Sequence, residues 1–239
     1  MRNHRPSCVV TIDGPAGVGK STVAKLLARR LGLTYLDTGA TYRALAYAVL
    51  SAGRDPRDER AVVRVARTIQ ITFQRVSAYG RAILVDGHEV TRQIRTEPVT
   101  EAAALIAQHP RVRAAMVRLQ RRLATGQAVV VEGRDTGSVV FPRAPYKFFL
   151  TATASVRARR RQRELKVLLG RSLALSVIAK QLKQRDQLDL RRTVGPLVKP
   201  AGAIVIETTH LPVEAVVERM ARALPPKNSS CFFEKNSVS

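Results

Sequence analysis

The sequence predicts an α/β fold in which helices cover both faces of a parallel β-sheet. Short apolar runs, typical of buried strands, alternate along the chain with longer segments whose apolar residues recur at helical spacing. The first run, at 8–13, leads through a glycine-rich turn into 20–31, where Val23, Leu27 and Leu31 share one helical face. Strands that alternate with helices in this way pair in parallel, because each helix carries the chain back across the sheet.

The later elements continue this alternation. Four more apolar runs predict strands at 34–36, 128–131, 147–150 and 204–206. Helical periodicity predicts helices at 40–50, 101–109, 111–123, 155–168, 173–190 and 212–224.

One segment departs from the alternation. The runs 71–73 and 82–85 look like strands, and the pair Asp86-Gly87 offers a tight turn before 88–90. Strands joined so closely cannot belong to the parallel sheet, because a parallel pair needs a long crossover. We therefore predict a small antiparallel insert within 62–96.

The composition is that of a globular and strongly cationic protein. Its 239 residues include 41 Lys and Arg against 18 Asp and Glu, a formal net charge of +23, and 45% of residues are hydrophobic. No apolar run approaches the roughly 20 residues that a bilayer span needs, and the run at 8–12 is too short for a signal peptide. Cys8 and Cys231 form neither a metal-binding spacing nor a disulfide framework. We expect a cytoplasmic monomer.

The positive charge indicates oxyanion ligands, but charge alone does not choose among nucleic acids, anionic lipids and small phosphorylated molecules. Basic residues are spread along the chain, aromatic residues amount to 5% and tryptophan is absent. Proteins that bind single-stranded nucleic acids usually offer aromatic stacking platforms. We therefore expect neither a specific nucleic acid nor a membrane as partner, and a nucleic-acid-binding protein is kept as the alternative from another class.

The sharpest motif is Gly14-Pro-Ala-Gly-Val-Gly-Lys-Ser21, which matches G-x-x-x-x-G-K-[ST] between a strand and a helix, the pattern of a phosphate-binding P-loop. Its glycines let backbone N–H groups curl around a phosphate, and the helix N-terminus adds partial positive charge. We predict that Lys20 reaches the β- and γ-phosphates of ATP and that the Ser21 hydroxyl is a ligand of Mg²⁺. The predicted ATP-binding residues are Gly14, Pro15, Ala16, Gly17, Val18, Gly19, Lys20, Ser21 and Thr22.

A P-loop does not identify the group that accepts the phosphoryl, so the acceptor must be sought in other motifs. The stretch 36–43 places Asp37, Thr38 and Arg43 one short strand after the P-loop helix. It supplies an acid, a hydroxyl and a cation. Capping of the following helix by Asp37 or Thr38 is an equally good interpretation, although it does not explain Arg43.

Two further motifs carry charge. Residues 132–137, Glu-Gly-Arg-Asp-Thr-Gly, follow an apolar strand and therefore lie at the carboxyl end of the sheet, where open α/β folds bind ligands. Near the end of a predicted helix, spacing of three to four places Arg185, Asp189 and Arg192 on one face. An ordinary polar turn and a solvated ladder of ion pairs are the respective alternatives.

Taken together, these motifs resemble the bacterial cytidylate (CMP/dCMP) kinase family, in the same order and from about Val9 to Leu224. Besides the P-loop, the matching stretches are 37–43, 94–96, 110–113, 133–142, 185–186 and 196–197. The resemblance implies the P-loop nucleoside monophosphate kinase fold, with a five-stranded parallel sheet, a monophosphate-binding subdomain enlarged by the antiparallel insert, and a short lid. It implies a single kinase domain over 1–224, with the core at about 8–37, 97–153 and 173–224, the subdomain at 38–96, the lid at 154–172 and a disordered tail at 225–239.

The resemblance also implies roles for individual residues. The family's phosphate-contacting arginines fall on Arg43, Arg134 and Arg192, with Thr38 nearby, and its cytosine-reading positions fall on Arg113 and Asp135. The positions that hold the ribose are Arg185 and Asp189, and the lid arginines are Arg157, Arg160 and Arg161. The predicted catalytic residues are Lys20 and six arginines, Arg43, Arg134, Arg157, Arg160, Arg161 and Arg192.

One position departs from the family. Ala104 stands where the family usually has a serine that helps to read the cytosine. Losing one such hydrogen bond costs about 0.5–1.5 kcal/mol, which would relax base discrimination by about two- to tenfold. We expect Arg113 and Asp135 to keep a weakened preference for cytosine.

The resulting functional prediction is ATP-dependent phosphorylation of CMP and dCMP to CDP and dCDP, with Mg²⁺ accompanying ATP. In such a reaction the protein mainly positions and neutralises the phosphoryl group, so an arginine-rich site without a protein nucleophile fits it. A small-molecule P-loop kinase for UMP or another acceptor is the nearer alternative.

Overall fold

The computed structural model describes residues 8–75, 81–170 and 173–226. Cys231 and most of the predicted tail, 227–239, lie outside the described residues. Among the helices of the described residues, none is long and apolar enough to cross a bilayer.

The described residues form two compact units, unit 1 with 8–36, 124–170 and 173–226, and unit 2 with 37–75 and 81–123. The strands in chain order are Val9–Asp13 (β1), Thr34–Asp37 (β2), Ile71–Arg75 (β3), Arg81–Val85 (β4), His88–Glu89 (β5), Val129–Glu132 (β6), Tyr146–Thr151 (β7) and Ile204–Glu207 (β8). The α-helices are Lys20–Leu31 (α1), Thr38–Ser51 (α2), Glu59–Thr68 (α3), Glu97–Ile106 (α4), Pro110–Ala124 (α5), Ala154–Leu169 (α6), Leu175–Leu190 (α7) and Val213–Arg222 (α8).

Unit 1 is built on a five-stranded parallel sheet with the order β2-β6-β1-β7-β8. The central strand β1 is buried along its whole length, and its Val10 lies opposite Val130 of β6 and Tyr146 of β7. A strand that is covered on both faces needs a continuous apolar run, as β1 and β6 have. The predicted five-stranded parallel sheet is confirmed.

One face of this sheet is covered by α1 and α8, which pack on each other and on the central strands. Their shared core includes Ile12, Leu27, Phe148 and Met220, each no more than 1% exposed. Burial of apolar side chains on this scale is the main force that holds the sheet and its helices together.

Unit 2 contains α2 to α5 and a three-stranded antiparallel sheet with the order β3-β4-β5. Its core brings Leu45, Val62, Ile94, Ile106 and Met116 together. The predicted antiparallel insert is confirmed. Helices α4 and α5, which the sequence analysis assigned to the kinase core, lie in unit 2.

Two helices of unit 2 differ from the sequence-based assignment. Helix α3 was not predicted, because its run of β-branched valines favours strand over helix. The structure forms it from a local signal: the Asp58 side chain accepts hydrogen bonds from the N–H groups of Arg60 and Ala61. Helix α4 begins at Glu97, four residues before its predicted start, with a proline in its first turn, where a missing N–H costs nothing.

The register of the parallel sheet determines where the loops of unit 1 that carry the sequence motifs meet. Ile12 of β1 lies opposite Glu132 of β6. The P-loop follows β1 and residues 133–140 follow β6, so both segments leave the sheet at neighbouring carboxyl ends. This is the position at which open α/β sheets bind their ligands.

Candidate active site

The P-loop of unit 1 connects β1 to α1 through a tight approach to the neighbouring strand. Gly14 has φ +146°, and a Cβ there would lie 2.3 Å from the Leu150 carbonyl oxygen, so only glycine fits. Helix α1 begins directly after Gly19, which provides no side-chain cap. The N–H groups of its first turn therefore remain available to an anion.

Lys20 is buried at 5% exposure, and its Nζ donates to the Pro15 carbonyl oxygen at 2.6 Å. Burial lowers the pKa of Lys20, and the nearby Arg134 lowers it further. The carboxylates of Glu132, Asp13 and Asp189 raise it only in part, so its pKa is about 7. The site holds a cation that is poorly compensated by the protein and would be stabilised by the negative charge of a phosphate.

Ser21 and Glu132 form an oxygen-rich group beside the P-loop. The Ser21 hydroxyl donates to Glu132 Oε2 at 3.0 Å, and the Tyr35 hydroxyl donates to the other carboxylate oxygen. Within the described residues no three His, Cys, Asp or Glu side chains form a metal-binding group. A hydroxyl and one carboxylate fit Mg²⁺, which prefers oxygen ligands and usually takes its remaining ligands from substrate phosphates and water.

Asp13 fixes the segment that follows β6. Its carboxylate accepts hydrogen bonds from the Thr136 N–H and hydroxyl, both at 2.8 Å, and from the Gly137 N–H at 2.7 Å. Burial raises the pKa of Asp13 despite these three bonds. The interaction joins the ends of β1 and β6, so the segment that carries Arg134 and Asp135 is held rigidly beside the P-loop.

Asp189 brings together three of the predicted acceptor-binding residues. Its carboxylate is 2% exposed and accepts from Arg134 Nε at 2.8 Å and from Arg192. Burial alone would raise the pKa of Asp189, but Arg134, Arg192 and Arg185 together lower it. Both carboxylate oxygens are thus engaged by arginines. Asp135, the residue that follows Arg134, is 6% exposed.

The three predicted lid arginines all lie on α6 but differ in their contacts. Arg157 Nη1 donates to the Ala16 carbonyl oxygen at 3.1 Å, and Arg160 Nη1 donates to that of Val18 at 3.2 Å. Arg161 instead pairs with Glu164 along the helix, at 2.8 Å. Two of the three therefore contact the backbone of the P-loop.

Unit 2 carries the other predicted acceptor residues. The Asp37 carboxylate accepts from the Ala40 N–H at 2.9 Å, which caps α2, and from Arg43 Nη2 at 2.8 Å. The one side chain therefore both caps the helix and binds Arg43. Burial alone would raise the pKa of Asp37, but Arg43 and the Ala40 N–H together lower it. Thr38 is buried at the start of α2.

Arg113, on α5 of unit 2, is only 1% exposed. Its guanidinium lies 5.8 Å from the centre of the Tyr42 ring, and its Nη1 donates to the Ala107 carbonyl oxygen at 3.5 Å. A guanidinium held over a ring face is restricted in orientation, as a group that reads a planar base must be.

A cavity of about 300 Å³ lies beside the P-loop in unit 1. Its lining includes residues that the sequence analysis did not predict as part of the site, among them Thr208, Leu211 and Val213. Thr208 follows β8, is buried, and donates to the Thr151 carbonyl oxygen at 2.9 Å, while Arg160 Nη2 donates to its carbonyl oxygen at 2.6 Å. The signal available in the sequence was that Thr208, Leu211 and Val213 follow the last strand of the sheet, at the end where ligands bind.

The whole chain is similar to known cytidylate kinases. A sequence profile of the cytidylate kinase family matches residues 10–225. The chain is 45% identical over 215 residues to a cytidylate kinase of Caldanaerobacter subterraneus subsp. tengcongensis, a match that covers 90% of this chain and 93% of that protein.

Two further relatives have the same name. A cytidylate kinase of Geobacillus kaustophilus is 47% identical over 211 residues, covering 88% of this chain and 93% of the relative. A cytidylate kinase of Pseudomonas aeruginosa is 43% identical over 215 residues, covering 90% of this chain and 93% of the relative. Similarity of this extent, over a chain whose P-loop and parallel sheet are those expected of a phosphotransferase, confirms the resemblance found in the motifs: the chain belongs to the cytidylate kinase family.

Proposed function

We propose that this protein transfers the γ-phosphoryl group of ATP to CMP and dCMP, giving CDP and dCDP. The observation that carries the proposal is the buried cluster in unit 1 in which Arg134 and Arg192 share Asp189, beside the P-loop that holds Lys20. Arginines gathered at the carboxyl end of a parallel sheet can neutralise a second phosphate as well as the one in the P-loop.

For ATP, the P-loop N–H groups and Lys20 would bind the β- and γ-phosphates, and the cavity lined by Thr208 and Leu211 has the size for the adenosine. Ser21 and Glu132 would hold Mg²⁺, directly or through water. When bound, the ion neutralises charge on the phosphates of ATP.

For the acceptor, unit 1 would contribute Arg134 and Arg192 to the phosphate of CMP, and Asp135, Arg185 and Asp189 to its nucleoside. In unit 2, Thr38 and Arg43 would bind phosphate and Arg113 would bind the cytosine. Support for the second set comes from the fixed orientation of Arg43 by Asp37 and of Arg113 by the Tyr42 ring. The attacking group is a phosphate oxygen of CMP itself, so no protein nucleophile is needed.

We further propose that α6 acts as a lid that excludes water from the γ-phosphate, because water would otherwise compete with CMP. Arg157, Arg160 and Arg161 lie on this helix. The cytoplasm, where both nucleotides are available, remains the proposed compartment, and a monomer the proposed form.

A panel of nucleoside monophosphates tests the proposed function. With ATP and Mg²⁺, a coupled assay of ADP release should show CMP or dCMP as the best acceptor and UMP as a slower one. A carboxylate such as Asp135 accepts from the cytosine amino group, whereas uracil presents an oxygen at that position. Equal rates with AMP would contradict the assignment of a pyrimidine site.

Binding of Mg-ATP should take up a proton at about pH 8. Lys20 has a pKa of about 7 in the free protein, so it is mostly neutral at that pH, and the triphosphate would raise its pKa and make it take up a proton. The affinity should therefore increase as the pH falls from about 9 to about 7. Calorimetry in buffers of different ionisation enthalpy measures the uptake, and the same heat in every buffer would contradict it.

A further inference from the structure

Helices α6 and α7 hold Ala16 of the P-loop through both its N–H and its carbonyl oxygen. The Ala16 N–H donates to Asp186 Oδ1 at 3.4 Å, and the Ala16 carbonyl oxygen accepts from Arg157 Nη1 at 3.1 Å. Arg157 Nη1 also donates to Asp186 Oδ2 at 2.5 Å. Ala16, Arg157 and Asp186 thus form a closed set of three, with Arg157 on α6 and Asp186 on α7.

Packing around this set shows that the contact is part of the fold of unit 1. Gly17 lies so close to α6 that a Cβ there would be 3.0 Å from the Arg157 carbonyl oxygen. Ala16 packs against a small apolar cluster formed by Ala158 of α6 and by Ile178 and Leu182 of α7. The position of residues 16–17 is therefore coupled to the α6–α7 pair.

The ion pair in the set is well placed to orient the P-loop. The side chains of Arg157 and Asp186 are 13% and 15% exposed. Hydrogen bonds between charged groups are stronger than neutral ones, and low exposure reduces their screening by water. Without the Asp186 carboxylate, Arg157 would lose the ion pair that directs its guanidinium to the Ala16 carbonyl oxygen.

We propose that Asp186 is a positioning residue for the triphosphate of ATP. By fixing the Ala16 N–H and the Arg157 guanidinium together, it holds the start of the P-loop in the conformation that directs the following N–H groups to the phosphates. Asp186 acts through these two partners and does not touch the reacting atoms. The proposal deepens the proposed function, because it rests on ATP being the ligand of this P-loop.

The effect should be specific to the phosphates. Neither Ala16 nor Asp186 lines the cavity assigned to the adenosine, which is formed by residues such as Thr208 and Leu211. A compound that offers only phosphates should therefore lose as much affinity as ATP does when Asp186 is replaced.

The test compares wild-type protein with Asp186→Asn, which keeps the size of the side chain and removes its charge. Calorimetry without CMP measures dissociation constants for the Mg²⁺ complexes of a non-hydrolysable ATP analogue and of inorganic tripolyphosphate. Both constants should rise about tenfold, the loss expected for a hydrogen bond to a charged group. Glu218→Gln, which removes the same charge from an exposed ion pair on α8, should leave both unchanged.

Two further measurements separate positioning from general destabilisation. In turnover assays Asp186→Asn should raise the KM for ATP about tenfold, as in binding, and change the KM for CMP by less than about twofold. Hydrogen exchange should become faster in the peptide that contains Ala16 and stay unchanged in the sheet. Asp186→Glu, which restores the charge, should recover most of the affinity for tripolyphosphate.

Three results would overturn the proposal: an unchanged affinity of Asp186→Asn for tripolyphosphate, a rise in the KM for CMP equal to that for ATP, or faster exchange throughout unit 1, which would make the role of Asp186 structural. The binding assays contain no acceptor nucleotide. Failure of the wild-type protein to phosphorylate CMP would therefore contradict the proposed function. The role of Asp186 would still be tested by the affinity for tripolyphosphate.

Discussion

Replacing Lys20 with methionine should lower turnover by about a thousandfold, the upper range for loss of one preorganised charge-stabilising group. Its ammonium is buried next to the P-loop carbonyl of Pro15 and close to Arg134, so no other cation of the P-loop occupies its position. The KM for CMP should change little, because the lost interaction is with the phosphates of ATP. Steady-state assays with CMP and ATP measure both quantities.

Lys147 offers a matched control. Its Nζ donates to the Pro142 carbonyl oxygen at 2.7 Å, five residues earlier in the chain, as Lys20 does with Pro15, but Lys147 lies at the surface. Lys147→Met should retain wild-type turnover. Undiminished activity of Lys20→Met would mean that the motif at 14–21 does not bind the phosphoryl donor.

The same variant tests the low pKa of Lys20. An unfolded lysine has a pKa of 10.5, whereas Lys20 in the folded protein has one of about 7. Between these values the unfolded state binds more protons, so this residue makes the free energy of unfolding rise with pH. Urea unfolding should show that wild-type protein gains stability relative to Lys20→Met between about pH 7 and about pH 9. The same difference in stability at both pH values would contradict the lowered pKa of Lys20.

The sheet could be predicted from sequence because its strands are locally encoded. β1 and β6 are buried on both faces and therefore appear as uninterrupted apolar runs. Helix α3 was missed because Val62, Val63 and Val65 lower helix propensity, and packing of this segment in the core of unit 2 outweighs that preference. The Asp58 cap and the acidic Glu59 in the first turn were local signs of a helix start.

The candidate site shows the same division between local and tertiary information. The P-loop could be recognised because all its residues are contiguous. Glu132 stood at the head of the motif at 132–137, but the sequence analysis did not assign it to the site. The partners of the lid arginines could not be predicted, since Arg157 and Arg160 find the Ala16 and Val18 carbonyls only after α6 packs on the P-loop. The family resemblance placed these arginines in a lid and gave no sign of their backbone contacts.

Replacing Asp189 with alanine should destabilise the protein by about 3–5 kcal/mol, because it leaves Arg134 and Arg192 without the buried carboxylate that they share. Urea unfolding at about pH 7 measures the loss. The pKa of Asp189 is lowered below its ordinary value of 3.8, so its contribution is complete above that pH and is lost only under more acidic conditions. The wild-type advantage should therefore be constant from about pH 7 to about pH 5.

Glu218 provides the exposed counterpart of Asp189, since it also accepts from two arginines, Arg30 and Arg222, but at 41% exposure. Glu218→Ala should leave stability nearly unchanged, because water screens the arginines that remain. Comparable losses in the two variants would show that burial does not determine the strength of these three-residue clusters.

Turnover separates the role of Asp189 in the site from its role in the fold. With Arg134 and Arg192 no longer held in place, Asp189→Ala should reduce kcat/KM for CMP and dCMP by at least about a hundredfold. Affinity for the Mg-ATP analogue should fall far less, because Lys20 and the P-loop N–H groups do not depend on this carboxylate for their positions. An equal loss for ATP, measured below the unfolding transition of the variant, would assign Asp189 to the donor side and leave the acceptor phosphate without its proposed arginine pair.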